Sequence, residues 1–155
     1  MGAMRLSSRD WTRRVVNVLT LATPVGLALA RSGHARLVPG PRGTWVATGY
    51  RSRFPAPRAP AVTIGDVVLL RLDDERLARR PLLLTHESRH SGQWACWLGM
   101  LGFPVAYGVA SLLSWWKVRD FALANVFEVR AGLVEGGYLR PGESVSSGSR
   151  RPAPQ

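Results

Sequence analysis

Residues Thr85-His86-Glu87-Ser88-Arg89-His90 contain an H-E-x-x-H pentapeptide: two imidazoles and a carboxylate at fixed spacing. Four residues make about one helical turn, so in a helix His86 and His90 share a face. Two imidazoles stacked this way can bind one zinc ion, and Glu87 beside them can act as general base on a zinc-bound water. The rival reading is a surface turn that happens to carry two histidines and a glutamate.

Zinc takes at least three protein ligands, with one position open if the site is catalytic. Cys96 is the only cysteine and lies in an apolar stretch, where packing is its expected role. Histidines and carboxylates must therefore supply the donors. Beyond the motif the acidic residues are Asp120, Glu128, Glu135 and Glu143. Glu143 falls in a Ser/Gly/Pro/Arg tail, and Asp120 follows an apolar stretch where a loop is expected. Glu128 opens a helix with Phe127, Val129 and Ala131 around it, which must pack on the core. Glu128 is accordingly the predicted third ligand and Glu135 the alternative. A competing role is concrete: Asn125 to Glu128 has capping-box spacing, in which Glu128 bonds only a backbone amide.

These side chains need elements to hold them. A helix is expected over about 81–100, with Pro81 in its first turn. Ala61 to Arg71 carries two β-branched runs around Gly65-Asp66, which predicts two short strands and a tight turn. Asp73 or Asp74 is placed to cap a helical turn through Arg79. Gly43 to Tyr50 suggests another short strand, and Pro55, Pro57 and Pro60 an extended connector. No charged residue occurs from Gln93 to Trp116. That stretch is long enough to span a bilayer, and Trp94, Trp97, Trp115 and Trp116 bracket it as interfacial aromatics do. Gly102-Phe103-Pro104 predicts a break into two helices. A single span would separate His90 from Glu128 by about 30 Å of hydrocarbon. Shared ligation therefore requires the stretch to double back as an apolar hairpin. A short helix is expected from Asn125, stopped by Gly136-Gly137.

The chain has 155 residues, room for one modest core, and a net charge of +11. Lys117 is its only lysine, and the arginines are scattered. No nucleic-acid motif is visible, so charge placement favours a membrane surface over specific DNA or RNA binding. Residues 1–30 pair early arginines with an apolar run from Val15 to Ala30, interrupted by Asn17, Pro24 and Gly26. A signal peptide, a membrane-lying anchor and a helix buried against the domain compete for it; the interruptions favour the last two. The organisation expected is an apolar N-terminal segment at 1–30, a Gly/Pro/Arg-rich connector with a short strand at 31–60, a metal-binding α+β domain at 61–140 and a disordered tail at 141–155.

The run Ala61-Val62-Thr63-Ile64-Gly65-Asp66-Val67-Val68, followed by Leu82-Leu83-Leu84-Thr85-His86-Glu87-x-x-His90-x-x-Gln93, resembles the minigluzincin-type zincins. These include the metallopeptidase-like core domain associated with extracellular contractile injection systems. The resemblance covers about Ala61 to Gly132. It implies a mostly helical zincin-like fold with a small sheet before the motif helix. It implies His86, His90 and Glu128 as zinc ligands and Glu87 as general base of a metallopeptidase. It further implies that the strand near Val67 to Arg71 lines the cleft and pairs with an extended peptide or protein substrate. One departure matters: the family usually carries an Asp one turn after the glutamate ligand, orienting a histidine, and Gly132 stands there. Tyr138 is the first choice for an oxyanion donor, with Tyr107 and His34 behind it; packing of the Tyr138 ring against the helix end is the competing role. Two rivals to a peptidase remain: a catalytically weak zincin-like module bound to a membrane, and a membrane protein with an accidental motif. The location expected is membrane-associated or cytoplasmic, with secretion left open.

Overall fold

The computed structural model describes residues 6–57 and 59–145. Two helices come first. In α1 (Ser8–Leu19) the Ser7 side chain accepts the Asp10 amide as N-cap. After a 73° bend follows α2 (Ala22–Ser32). Next come β1 (Arg36–Pro39) and β2 (Trp45–Thr48), joined by a 3-10 turn at Pro41–Gly43. The hairpin β3 (Ala61–Ile64) and β4 (Val67–Leu70) then leads through α3 (Asp74–Ala78) into the motif helix α4 (Leu83–Cys96). Asp73 caps α3, as its position suggested. A 3-10 turn at Gly99–Leu101 leads to α5 (Phe103–Val118), and α6 (Val126–Ala131) follows. The architecture is α+β, with the sheet preceding the motif helix.

One four-stranded sheet has the order β1-β2-β4-β3. The pairs β1–β2 and β3–β4 are antiparallel and β2–β4 is parallel. Residues 31–60 thus supply half of the sheet rather than a connector with one strand. β4 is central and buried along its whole length. Its alternate residues enter two cores: Val67 and Leu69 meet Ala47, Trp94, Phe103 and Phe127, while Val68 and Leu70 meet Val46, Ala61 and Leu83. The edge strand beside α4 is β3. The expectation that residues 67–71 offer an edge to substrate is therefore wrong. β2 pairs with β4 on its other side, so β4 has no free edge.

The hairpin turn is tied down by charge. Gly65 takes φ +60°, and a Cβ there would lie 2.4 Å from the Thr23 nitrogen, so only glycine fits. Beside it the buried Asp66 carboxylate accepts from Asn17 Nδ2 at 3.2 Å and Thr23 Oγ1 at 3.3 Å, and faces Arg13 Nε at 2.9 Å. Asn17 Nδ2 also donates to the Ser91 carbonyl at 3.0 Å. One amide therefore links α1, the hairpin turn and the motif helix.

The apolar stretch after Gln93 folds back, as the Gly102–Pro104 break suggested, although α4 already ends at Cys96. Among the described residues no single helix is long and apolar enough to cross a membrane. Cys96 is exposed, contrary to its expected packing role: it falls on the last turn of α4, away from the sheet-facing residues. Gly132, not Gly136-Gly137, ends α6, since its φ of +102° leaves the helical region. Residues 141–142 form a turn beside which Arg140 N–H donates to Glu143 Oε2 at 2.7 Å, residues 143–145 have no regular structure, and the rest of the expected tail lies outside the described residues.

Asp66→Ala is expected to lower unfolding stability by about 3 kcal/mol, because it takes one carboxylate from the buried Arg13, which keeps only Asp10 and the Arg42 carbonyl, and removes the acceptor of Asn17 and Thr23. Urea unfolding of the variant beside wild type measures this.

Candidate metal centre

Helix α4 places His86 and His90 one turn apart on the face turned toward α6. Their Nδ1 atoms are engaged elsewhere: His86 Nδ1 with the Gly132 carbonyl at 2.9 Å, and His90 Nδ1 with Gln93 Oε1 at 2.7 Å. Gln93 is held in turn, its Nε2 donating to the Phe127 carbonyl at 2.9 Å. Both Nε2 atoms are thereby turned to one point, 3.1 Å apart. The Glu128 carboxylate arrives from α6. Its Oε2 lies 3.2 Å from His86 Nε2 and 3.5 Å from His90 Nε2. All three side chains are buried.

These donors fit a metal. A tetrahedron with bonds of about 2.0–2.1 Å has edges of about 3.3 Å, and the three measured separations bracket that length. Glu128 Oε2 is buried and, among the described residues, makes no aligned hydrogen bond. An orphaned buried oxygen facing two imidazole nitrogens is what a cation would satisfy. The capping-box role for Glu128 does not hold: Asn125 accepts the Phe127 amide, and Glu128 turns inward. Glu135 does not join the cluster; it pairs with Arg89 at 3.0 Å. Asp120 Oδ1 accepts the amides of Ala122 and Leu123 in the turn after α5.

The Gly132 backbone carbonyl orients the His86 ring. Arg89 holds that turn in place, donating to the Ala131 carbonyl at 2.6 Å and to Glu135. Two supports were not legible in the sequence. Tyr107 on α5 donates to Glu128 Oε1 in a short hydrogen bond, and Thr63 Oγ1 on β3 donates to Glu87 Oε2 at 2.6 Å. The i,i+3 spacing of His90 and Gln93 could have signalled the third support, whereas Tyr107 and Thr63 meet their partners only through the tertiary fold.

A cleft of about 460 Å³ opens over these residues. Its walls are mostly apolar, with β3 (Val62, Thr63, Ile64), α2 (Val25, Leu29) and the segment around Phe54-Pro55 along them, and Glu87 and Tyr138 at the metal cluster. The Tyr138 ring packs against His86 with centroids 5.9 Å apart. His34 is exposed and does not line the cleft. Burial, reinforced by the Glu128 charge, pushes both the Tyr107 and the Tyr138 hydroxyls well above the ordinary phenol range, so both remain donors at neutral pH. For Glu128, burial alone would raise the carboxyl, but the two imidazoles and Tyr107 outweigh it and hold it far below the carboxylate range. Burial works against a charged His90, yet Glu128 first, then Glu87 and Gln93, raise its pKa.

Comparison of the chain with protein-family models, with curated proteins and with solved structures returned no match.

The raised His90 sets a pH dependence for the metal-free protein. Its pairing with Glu128 contributes stability that is fully present below the ordinary imidazole value of about 6.5 and lost as pH rises through the raised one. Metal requires neutral imidazoles, so zinc affinity should rise across that same window, with proton release on binding at neutral pH. Calorimetric titration in buffers of different ionisation heat measures both. Tyr107→Phe should weaken zinc binding about 10- to 100-fold, read by competition with a chromogenic chelator.

Proposed function

We propose that this protein is a zinc-dependent hydrolase of peptide or amide bonds. The observation that carries the reading is the convergence of His86 Nε2, His90 Nε2 and Glu128 Oε2 beneath a cleft walled by an edge strand. Two imidazoles and one carboxylate form a donor set suited to zinc and leave one tetrahedral position for chemistry. The strand-plus-helix pattern that resembles the minigluzincin-type zincins supports the same assignment.

When bound, the cation supplies Lewis acidity and lowers the pKa of water toward neutrality. The remaining steps belong to the chain. Thr63 fixes Glu87 Oε2, and among the described residues Glu87 Oε1 accepts no hydrogen bond, which suits it to take the proton of the attacking water. The same carboxyl then delivers that proton to the departing nitrogen. Tyr138, protonated at neutral pH, is the donor proposed for the developing oxyanion. Tyr107 has a different role from the one first considered: bonded to Glu128, it positions a ligand.

β3 is the strand proposed to receive an extended substrate. Its edge borders the cleft; Trp94 Nε1 already takes the Thr63 carbonyl at 2.8 Å and fixes the strand to α4, so a substrate strand would pair with the remaining edge groups. The apolar walls favour substrates with large apolar side chains. Orientation of His86 by Gly132 removes the main ground for reading the cluster as an inert scaffold, since the histidine is still held.

Purified wild type should carry one equivalent of zinc, and His86→Ala should lose it. Glu87→Gln should keep the ion and the melting temperature while hydrolysis of a fluorogenic peptide mixture falls roughly 100- to 10,000-fold. A wild type with no stoichiometric zinc would overturn the assignment.

A further inference from the structure

Helix α1 is built inside out. Its buried residues are polar: Asp10, Arg13 and Asn17. Its apolar residues Trp11, Val15, Val18 and Leu19 form one stripe, at i, i+4, i+7 and i+8, and are exposed, Leu19 to 76 %. A helix on a water-facing surface shows the opposite pattern.

The far corner of the fold repeats the anomaly. Of the 16 residues of α5 only Phe103 and Ser114 are buried. Leu101, just before it, and Val105, Val109, Leu112 and Trp116 follow one helical face, each more than half exposed. The corners from which the two stripes run are joined, because the Met100 amide donates to the Thr20 carbonyl at 3.4 Å and so links the α1–α2 corner to the α4–α5 corner. At these corners Leu21 and Leu98 adopt left-handed backbone, with φ of 62° and 56°, a conformation uncommon for bulky residues. Both side chains are more than 60 % exposed.

Cations flank this apolar surface. The Arg14 guanidinium lies 5.6 Å from the Trp11 ring and that of Arg119 4.5 Å from the Trp115 ring. Between Gln93 and Trp116 there is no charge, yet the chain as a whole carries +11. We propose that this surface lies in the interface of an anionic lipid bilayer, with the stripes of α1 and α5 at the acyl boundary and the arginines and tryptophans at the headgroups. Insertion is in the plane: no helix among the described residues can cross alone, and the α1–α2 pair is bent by 73°. A second copy is the poorer occupant, since two chains of +11 repel while anionic lipid attracts. Met100 and Pro104 line the cleft from this corner, so binding sets the cleft rim beside the membrane.

The full chain is tested by flotation with vesicles of phosphatidylcholine alone and of phosphatidylcholine mixed with phosphatidylserine. Wild type should float with the mixed vesicles, weakly or not at all with the neutral ones, and less as salt rises. Leu101→Asp combined with Val109→Asp, both at exposed positions outside the cleft, should lower partitioning at least about tenfold. In wild type the tryptophan emission should shift to the blue on mixed vesicles and be quenched by brominated lipid. Absence of flotation and of any emission change would overturn the proposal. So would partitioning that the double variant leaves unchanged, or a wild-type dimer in lipid-free buffer that the double variant dissociates.

Discussion

A carboxylate held at 2 % exposure needs a compensating positive charge, and the fold around Glu128 is arranged to provide one. Its α6 helix is only six residues long and could not stand alone. It is docked by Phe127, which packs in the aromatic cluster with Phe103, Trp97 and Tyr107, and by Gln93, which bonds the Phe127 carbonyl. The glutamate therefore reaches the imidazoles only because α5 doubles back from α4 and carries α6 with it. Two contacts that hold α6 also fix a histidine: Gln93, which bonds both His90 and the Phe127 carbonyl, and the Gly132 carbonyl, which meets His86.

The opposite wall of the cleft depends on a second buried ionic cluster, the one around Asp66. It joins α1 to the hairpin turn and, through Asn17, to the backbone of the motif helix at Ser91. Thr63 reaches Glu87 from the hairpin that this cluster pins. The two candidate carboxylates, Glu87 and Glu128, are thus anchored from different sides, one by the sheet and one by the helical return.

Much of the site was legible because helix periodicity acts locally. His86, Glu87 and His90 follow from spacing within one turn, and Glu128 from the apolar residues around it. The sheet edge was misread for a non-local reason. β1 carries Pro39 and is mostly exposed, so it gives little strand signal, while the β2–β4 pairing is parallel and sets Trp45 opposite Val67, a distant partner that no local pattern announces. The strand at 45–48 was expected but not its place beside β4; that pairing makes β4 central. The polar burial of α1 was hidden for a similar cause, since Arg13 and Asn17 gain their distant partner only when the fold brings Asp66 against them, and Asp10 when it brings Arg42. Tyr107 and Thr63 carry no spacing cue to their partners.

The turn at Gly132 constrains how this chain can change over generations. A side chain there would need an unfavourable backbone and would strike Glu135 Oε2 at 2.2 Å and Arg89 Nη1 at 2.6 Å. Aspartate at that place would need a positive φ and would push aside the ends of the Glu135 and Arg89 side chains, loosening the bond by which Arg89 holds the Ala131 carbonyl. A main-chain oxygen, unlike a carboxylate, is also indifferent to protonation and to side-chain replacement. The support for His86 at this turn is therefore one that replacing a side chain at position 132 does not itself take away.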